Sequence, residues 1–134
     1  MKFSLIALAT LCLASPALAD EQPLACAQPA PVFTDAESSP LDLSHLAQTV
    51  GTAELDGQSL DAVAGQIRED YPDATDAEVA DIMITAFCSY LNTDAPADLR
   101  SASNVQAFEE QAYDAVFGGA PPESYSRQGW LYGN

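Results

Sequence analysis

The stretch from Thr75 to Leu91 constrains the fold more than any other, because it specifies one long amphipathic helix. Residues 75–78 (TDAE) have the pattern of a capping box, in which the Thr75 hydroxyl and the Glu78 carboxylate each satisfy a backbone N–H of the first turn. Apolar side chains then recur at helical spacing: Val79, Ile82, Met83, Ala86, Phe87, Tyr90 and Leu91. A helix with such a face has to be covered by other elements.

Three other stretches show the same helical period and carry their own start and stop signals. They run from Ser39 to Gly51, from Ser59 to Asp70, and from about Ser103 to Gly118. In the first, Ser39 can cap and Pro40 suits the first helical position. Tyr71-Pro72 stops the second, because the residue before a proline avoids the helical region. In the last, Gln106 completes a second capping box.

These patterns predict an all-α fold, a small bundle of about four short helices, since strand alternation of useful length is missing from the sequence. Four segments follow. Residues 1–19 form a cleaved signal peptide, 20–39 an extended arm with three prolines, 40–117 the helical domain, and 118–134 a tail rich in glycine, proline and aromatic residues.

The first nineteen residues have the features of an export signal. Lys2 supplies a short positive start, Phe3–Ala14 is an apolar run too short to span a bilayer, and Ala17-Leu18-Ala19 is an A-x-A cleavage site. No later segment is apolar enough to cross a membrane, so we expect no membrane insertion after cleavage. The expected location is the periplasm or the extracellular space.

Cleavage after Ala19 removes Cys12 and leaves Cys26 and Cys88. Two cysteines in an oxidising compartment predict one disulfide. It would close a loop of about 63 residues, which the chain-entropy model values at about 4 kcal/mol. Two alternatives remain: unpaired thiols, or a lipid on Cys26. Against the lipid, Asp20 and Glu21 separate Cys26 from the apolar run, as expected of a mature N-terminus.

Helical geometry supports the disulfide. At about 100° per residue, Cys88 lies about 150° from the middle of the apolar stripe of its helix. Ala77, Ile84 and Leu91 lie nearer to Cys88, which indicates a second, smaller buried face. The arm that carries Cys26 is the segment expected to cover it, stapled there by the disulfide.

Charge limits the classes of partner. All 20 acidic residues follow Ala19, and against them stand only Arg68, Arg100 and Arg127, which leaves a side-chain charge of −17. Such a surface repels nucleic acid and anionic lipid head groups, and it attracts basic proteins or divalent cations. The sequence therefore favours a non-catalytic binding or accessory protein for a basic partner, while a charge that merely keeps the chain soluble is the simpler interpretation.

The alternative function is divalent-cation binding at a helix–turn–helix corner. Asp70, Asp73, Asp76 and Glu78 offer the oxygen ligands that Ca²⁺ prefers, although their spacing is not that of an EF-hand. Asp73, Asp76 and Glu78 also have an ordinary structural role at a helix N-terminus.

The sequence gives little support for nucleophilic catalysis or for a zinc or haem site. The single histidine, His45, has no serine in a G-x-S-x-G turn to act upon, and cysteine spacings typical of zinc or haem are missing from the sequence. We expect no cofactor and no enzyme activity. A carboxylate-dependent enzyme is the less favoured alternative, since nothing selects one pair among the acids.

The tail carries the last candidates. Tyr125, Trp130 and Tyr132 could anchor a partner, since aromatic side chains dominate many interfaces. Alternatively, Trp130 folds back onto the bundle and fills its core, which is the interpretation we favour.

Residues 67–92 (IREDYPDATDAEVADIMITAFCSYLN) resemble a motif of small exported helical proteins of alphaproteobacteria. That motif has a helix ending in Tyr-Pro, then a Ser/Thr-Asp-Ala-Glu box, then Ala-Asp and an aromatic-Cys pair. Here these are Tyr71-Pro72, Thr75–Glu78, Ala80-Asp81 and Phe87-Cys88. The resemblance covers under a quarter of the mature chain, and it implies export and helicity but no particular activity. Many relatives have proline after the cysteine, where this chain has Ser89.

Overall fold

The computed structural model describes residues 22–37 and 39–119. Within them all regular structure is helical, which confirms the predicted class. The α-helices are α1 (Pro31–Thr34), α2 (Leu43–Leu55), α3 (Leu60–Asp70), α4 (Asp76–Thr93) and α5 (Ala102–Phe117), and a short 3-10 helix covers Ala97–Leu99. The predicted signal peptide and the tail aromatics Tyr125, Trp130 and Tyr132 lie outside the described residues.

Helix α4 is the centre of the core. The predicted capping box is present: the Thr75 backbone N–H donates to Glu78 Oε2 at 2.8 Å, and the Glu78 N–H donates to Thr75 Oγ1 at 3.3 Å. Helices α2 and α5 make most of its contacts with other elements. Ile84 and Cys88 are buried together with the main stripe, so α4 is covered on its second face as predicted.

Helix α2 differs from its prediction at both ends. Asp42 is its N-cap and accepts from the His45 N–H at 3.1 Å, instead of Ser39. The physical reason is that the preceding residues are held elsewhere: the Leu41 N–H donates to the Phe33 carbonyl at 2.9 Å. The helix also continues through Gly51 to Leu55. The prediction that Gly51 ends it was wrong.

The ends of α3 and α5 largely follow their sequence signals. Ser59 caps α3 by accepting from the Asp61 N–H at 3.2 Å, and Tyr71 follows its last residue. Gly118, at φ 69°, has the left-handed conformation expected after α5. The start of α5 was predicted two residues late, because Ser101 is the cap and accepts from the Asn104 N–H at 3.2 Å.

The N-terminal arm is held on α4 by a covalent and a hydrogen-bonded attachment. Cys26 and Cys88 form the predicted disulfide, with their Cα atoms 5.7 Å apart. The side-chain amide of Asn92 brackets Leu24: its Oδ1 accepts from the Leu24 N–H at 2.8 Å, and its Nδ2 donates to the Leu24 carbonyl at 2.9 Å. The arm is not extended throughout, since α1 forms one helical turn within it.

Among the described residues, no helix combines the length and the apolar character that a membrane span requires.

A candidate acidic groove between the arm and the corner of α3 and α4

A groove of about 400 Å³ lies between the arm and the corner that joins α3 to α4. Residues of α1 and the segment after it form one wall: Pro31, Val32, Asp35, Ala36, Glu37 and Ser39. The corner forms the other wall with Asp70, Tyr71, Pro72 and Asp73. We call this the acidic groove.

Two aromatic residues hold the walls of the acidic groove at their spacing. Phe33, the buried residue of α1, is fully inaccessible to solvent and meets the ring of Tyr71 edge to face, with centroids 5.2 Å apart. The Tyr71 hydroxyl donates to the Ser39 carbonyl at 3.0 Å. Tyr71 thus contacts the arm twice, through its ring at Phe33 and through its hydroxyl at Ser39, while the disulfide fixes the arm five residues before α1 begins.

The lining of the acidic groove carries one sign of charge. Four carboxylates line it, Asp35 and Glu37 from the arm and Asp70 and Asp73 from the corner, and no lysine or arginine is among the lining residues. Asp35 accepts from the Thr34 hydroxyl at 3.0 Å, and Asp70 accepts from Gln66 Nε2 at 3.0 Å. Both contacts are with neutral donors, so they leave the negative charge in place. A concave surface of this kind attracts a cation.

Tyr71 is the residue of the acidic groove whose proton affinity is altered. Burial raises the pKa of its phenol above the ordinary value, and the negative charge of Asp70 beside it raises the pKa further. Both effects favour the neutral phenol, which is the form that can donate to the Ser39 carbonyl.

The four residues proposed to bind a divalent cation are not gathered into one site. Asp70 and Asp73 line the acidic groove, whereas Asp76 pairs with Arg68 at 2.9 Å and Glu78 belongs to the capping box. Across residues 22–37 and 39–119, no three His, Cys, Asp or Glu side chains are grouped in a way that could hold a metal ion.

The Arg68–Asp76 pair has a structural role of its own. Arg68 donates through Nε and Nη2 to Asp76 Oδ1 at 3.1 and 2.9 Å. Its Nη2 also donates to the Val116 carbonyl at 3.1 Å. One guanidinium therefore links α3, the first turn of α4 and the last turn of α5, and a cation at Asp76 would have to compete with it.

Sequence reasoning missed the arm's half of the acidic groove. Asp35 and Glu37 stand in a segment without period, and nothing local places them opposite Asp73. The sequence indicates the position of these two residues only indirectly. The predicted Cys26–Cys88 disulfide brings the arm onto α4, and Phe33, as a large apolar side chain of the arm, needs a buried partner.

Comparison with protein family models, with curated proteins and with solved structures finds no match for this chain.

Proposed function

We propose that this chain is an exported, non-catalytic binding or accessory protein that engages a basic partner through the acidic groove. The observation that carries the proposal is the apposition of Asp35 and Glu37 with Asp70 and Asp73 across one groove whose lining has no basic residue. The whole chain carries a net charge of −16, so its long-range field has the same sign as the groove.

Several weak contacts acting together would bind the partner in the acidic groove. An exposed ion pair contributes about 0–1 kcal/mol, so one carboxylate would not select a partner. A groove lined by one sign of charge focuses the field and raises the rate of encounter with an opposite charge. Its volume of about 400 Å³ falls in the range of ordinary ligand pockets, which suits an arginine or lysine side chain of a partner protein.

The non-catalytic part of the proposal is supported by where the reactive side chains lie. His45 is exposed in the first turn of α2, and the described cysteines are joined to each other. The exported part is supported by the signal-like leader and by the disulfide, which is typical of oxidising compartments. The resemblance to small exported proteins of alphaproteobacteria fits the same location. The Cys26 sulfur is bonded to Cys88, so it is not available to a lipid.

A labelled oligo-arginine peptide tests the acidic groove directly. Its affinity would be measured by fluorescence anisotropy at low and high salt for two double variants of equal net charge. Glu37→Gln with Asp73→Asn removes one carboxylate from each wall. Asp98→Asn with Glu110→Gln removes two exposed carboxylates outside the groove. We expect the groove variant to lose about tenfold in affinity, the control to lose much less, and all binding to weaken with salt.

Equal losses in the two double variants would assign any binding to the overall charge and overturn the groove proposal. Binding that is unchanged between low and high salt would overturn its electrostatic basis. The alternative of Ca²⁺ binding at Asp70, Asp73, Asp76 and Glu78 has its own test in calorimetry. Saturable heat that Asp73→Ala with Asp76→Ala abolishes would support it.

A further inference from the structure

A second groove, apolar in character, is lined by residues of α2, α4 and α5 and by Leu99 of the 3-10 helix. Its volume is about 240 Å³, and its apolar lining is Leu55, Phe87, Tyr90, Leu91, Leu99 and Ala107. We call this the apolar groove. It shares no lining residue with the acidic groove.

The floor of the apolar groove is aromatic and firmly held. Phe87 stacks on Phe108 with centroids 4.2 Å apart and lies 6.3 Å from the ring of Tyr90. Leu55 on its rim is different, since 56% of its surface is exposed and it is the large apolar residue that the described part of the chain leaves open to solvent. Covering an apolar rim and an apolar floor with another apolar group removes both from water, which is favourable.

The length of chain beyond the described residues is sufficient to supply that group. Residues 120–134 follow α5 closely and include the only tryptophan of the chain, Trp130. Ala107 lies ten residues before the end of α5, which is about 15 Å along the helix axis. The ten steps along the chain from residue 120 to residue 130 span up to about 35 Å when extended, so Trp130 can reach the groove even after the chain reverses direction.

Charge favours this segment over a second copy of the chain. Residues 120–134 contain one acidic and one basic side chain, Glu123 and Arg127, and so carry no net side-chain charge. Two whole copies carry −16 each and repel one another. Glu54 adds a carboxylate to the lining of the groove, which has the opposite charge to the single cation of the tail, Arg127. Attachment to the same chain also gives the tail an effective concentration in the millimolar range.

We infer that the aromatic end of the tail, Trp130-Leu131-Tyr132, occupies the apolar groove of its own chain. The indole side chain covers Leu55 and rests against Phe87 and Tyr90. This inference does not depend on the acidic groove or on its partner, and it assigns the tail aromatics to docking and not to recognition of another protein.

Trp130 is its own reporter, because selective excitation of tryptophan reads one residue in this chain. The purified full-length protein should show emission that is blue-shifted from that of the chain in denaturant, and it should resist quenching by acrylamide. Ala107→Glu places a charge in the groove, and Ala62→Glu places the same charge on the exposed side of α3. We expect Ala107→Glu to move both readings toward the unfolded values and Ala62→Glu to leave them unchanged.

Leu55→Ser is a second groove variant, chosen because an exposed position tolerates substitution. It should also raise the quenching of Trp130, while circular dichroism confirms that every variant is folded. Unshifted, freely quenched emission in the unmodified protein would overturn the inference. So would protected emission that neither groove variant changes, which would place Trp130 elsewhere. A blue shift that appears only as protein concentration rises would identify a second copy as the occupant and would also overturn it.

Discussion

A side chain at Gly51 would overlap the ring of Tyr90. An ideal Cβ built on Gly51 meets the Cγ and both Cδ atoms of that ring, so the two helices α2 and α4 approach here as closely as a glycine allows. Gly51 is buried in the middle of α2, where a glycine ordinarily costs about 1 kcal/mol relative to alanine. The close approach of the two helices explains why it is tolerated.

Gly51→Ala is therefore expected to destabilise the protein although it improves helix propensity. The atoms that meet the new methyl group belong to the near end of the Tyr90 ring, which cannot swing away, and the ring is packed beside Phe87. Overpacking of this kind costs about 1–3 kcal/mol, and the better helix propensity of alanine offsets about 1 kcal/mol of it, so we expect a net loss of up to about 2 kcal/mol in the free energy of unfolding. Urea denaturation followed by circular dichroism measures it.

Gly65 provides the matched control. It lies inside α3, and a Cβ there meets nothing within 4 Å. Gly65→Ala should stabilise the protein by about 0.5–1 kcal/mol through helix propensity and a less flexible unfolded chain. If both glycine variants shift stability in the same direction, the contact between Gly51 and Tyr90 is not what decides the outcome.

Gly51 shows why the ends of the helices were harder to predict from the sequence than their presence. The sequence around Gly51 carries a stop signal, whereas in the structure Gly51 lies inside α2 against the ring of Tyr90, a residue about forty positions later. Thr75 was predicted correctly as a cap because every group that it needs lies within the next three residues. Ser39 was predicted wrongly, because its carbonyl accepts from the hydroxyl of Tyr71, which follows the last residue of α3 and is 32 positions away.

The capping box itself gives a second prediction. Thr75 Oγ1 accepts from the Glu78 N–H and also donates to Glu78 Oε2 at 2.9 Å. Thr75→Ala removes both contacts and should cost about 1 kcal/mol in the free energy of unfolding. Thr52→Ala, at an exposed position inside α2, should be neutral or stabilising because alanine is the better helix former. A loss of the same size at Thr52 would contradict the capping explanation.

The disulfide gives a third prediction. It joins residues 62 positions apart, and the double variant Cys26→Ala with Cys88→Ala should lose about 2–4 kcal/mol in the free energy of unfolding. Reduction of the unmodified protein should produce nearly the same loss, whereas reductant should leave the stability of the variant unchanged. The intact mass of exported protein, taken after free thiols are blocked, should correspond to a start at Asp20 with both cysteines protected until reduction.

The disulfide also explains which residues of the acidic groove could be predicted from the sequence and which could not. Asp70 and Asp73 were selected as candidate cation ligands because they lie at the end of a helix that was itself predictable and just after it. Asp35 and Glu37 face them only because the disulfide and the buried Phe33 hold the arm in place. Long-range placement of this kind depends on packing that has no local pattern, and the partial helix α1 was missed for the same reason.

Tyr71 gives the fourth prediction, a loss of stability at alkaline pH. Its pKa is raised in the folded protein, first by burial and then by Asp70, so the neutral phenol is favoured by folding. A raised folded-state pKa contributes stability that is complete below the pKa of the unfolded chain, about 10, and is lost as pH rises through the folded-state value. The Tyr71 phenolate can no longer donate to the Ser39 carbonyl.

The variant Tyr71→Phe keeps the ring against Phe33 but lacks the hydroxyl. It should therefore be less stable than the unmodified protein near neutral pH, and the difference in stability between the two proteins should shrink as pH rises.

Asp70 separates the two causes of the raised pKa. Asp70→Asn should lower the pKa of Tyr71 only in part, because burial is the larger cause. Glu69→Gln removes the same charge one residue earlier on the exposed surface of α3 and should leave the Tyr71 pKa nearly unchanged. The pKa is read from the difference in phenolate absorbance between each protein and its Tyr71→Phe counterpart, which removes the signal of the other tyrosines. Equal shifts in the two acid variants would mean that the pKa of Tyr71 responds to the overall charge of the surface and not to the charge of Asp70 in particular.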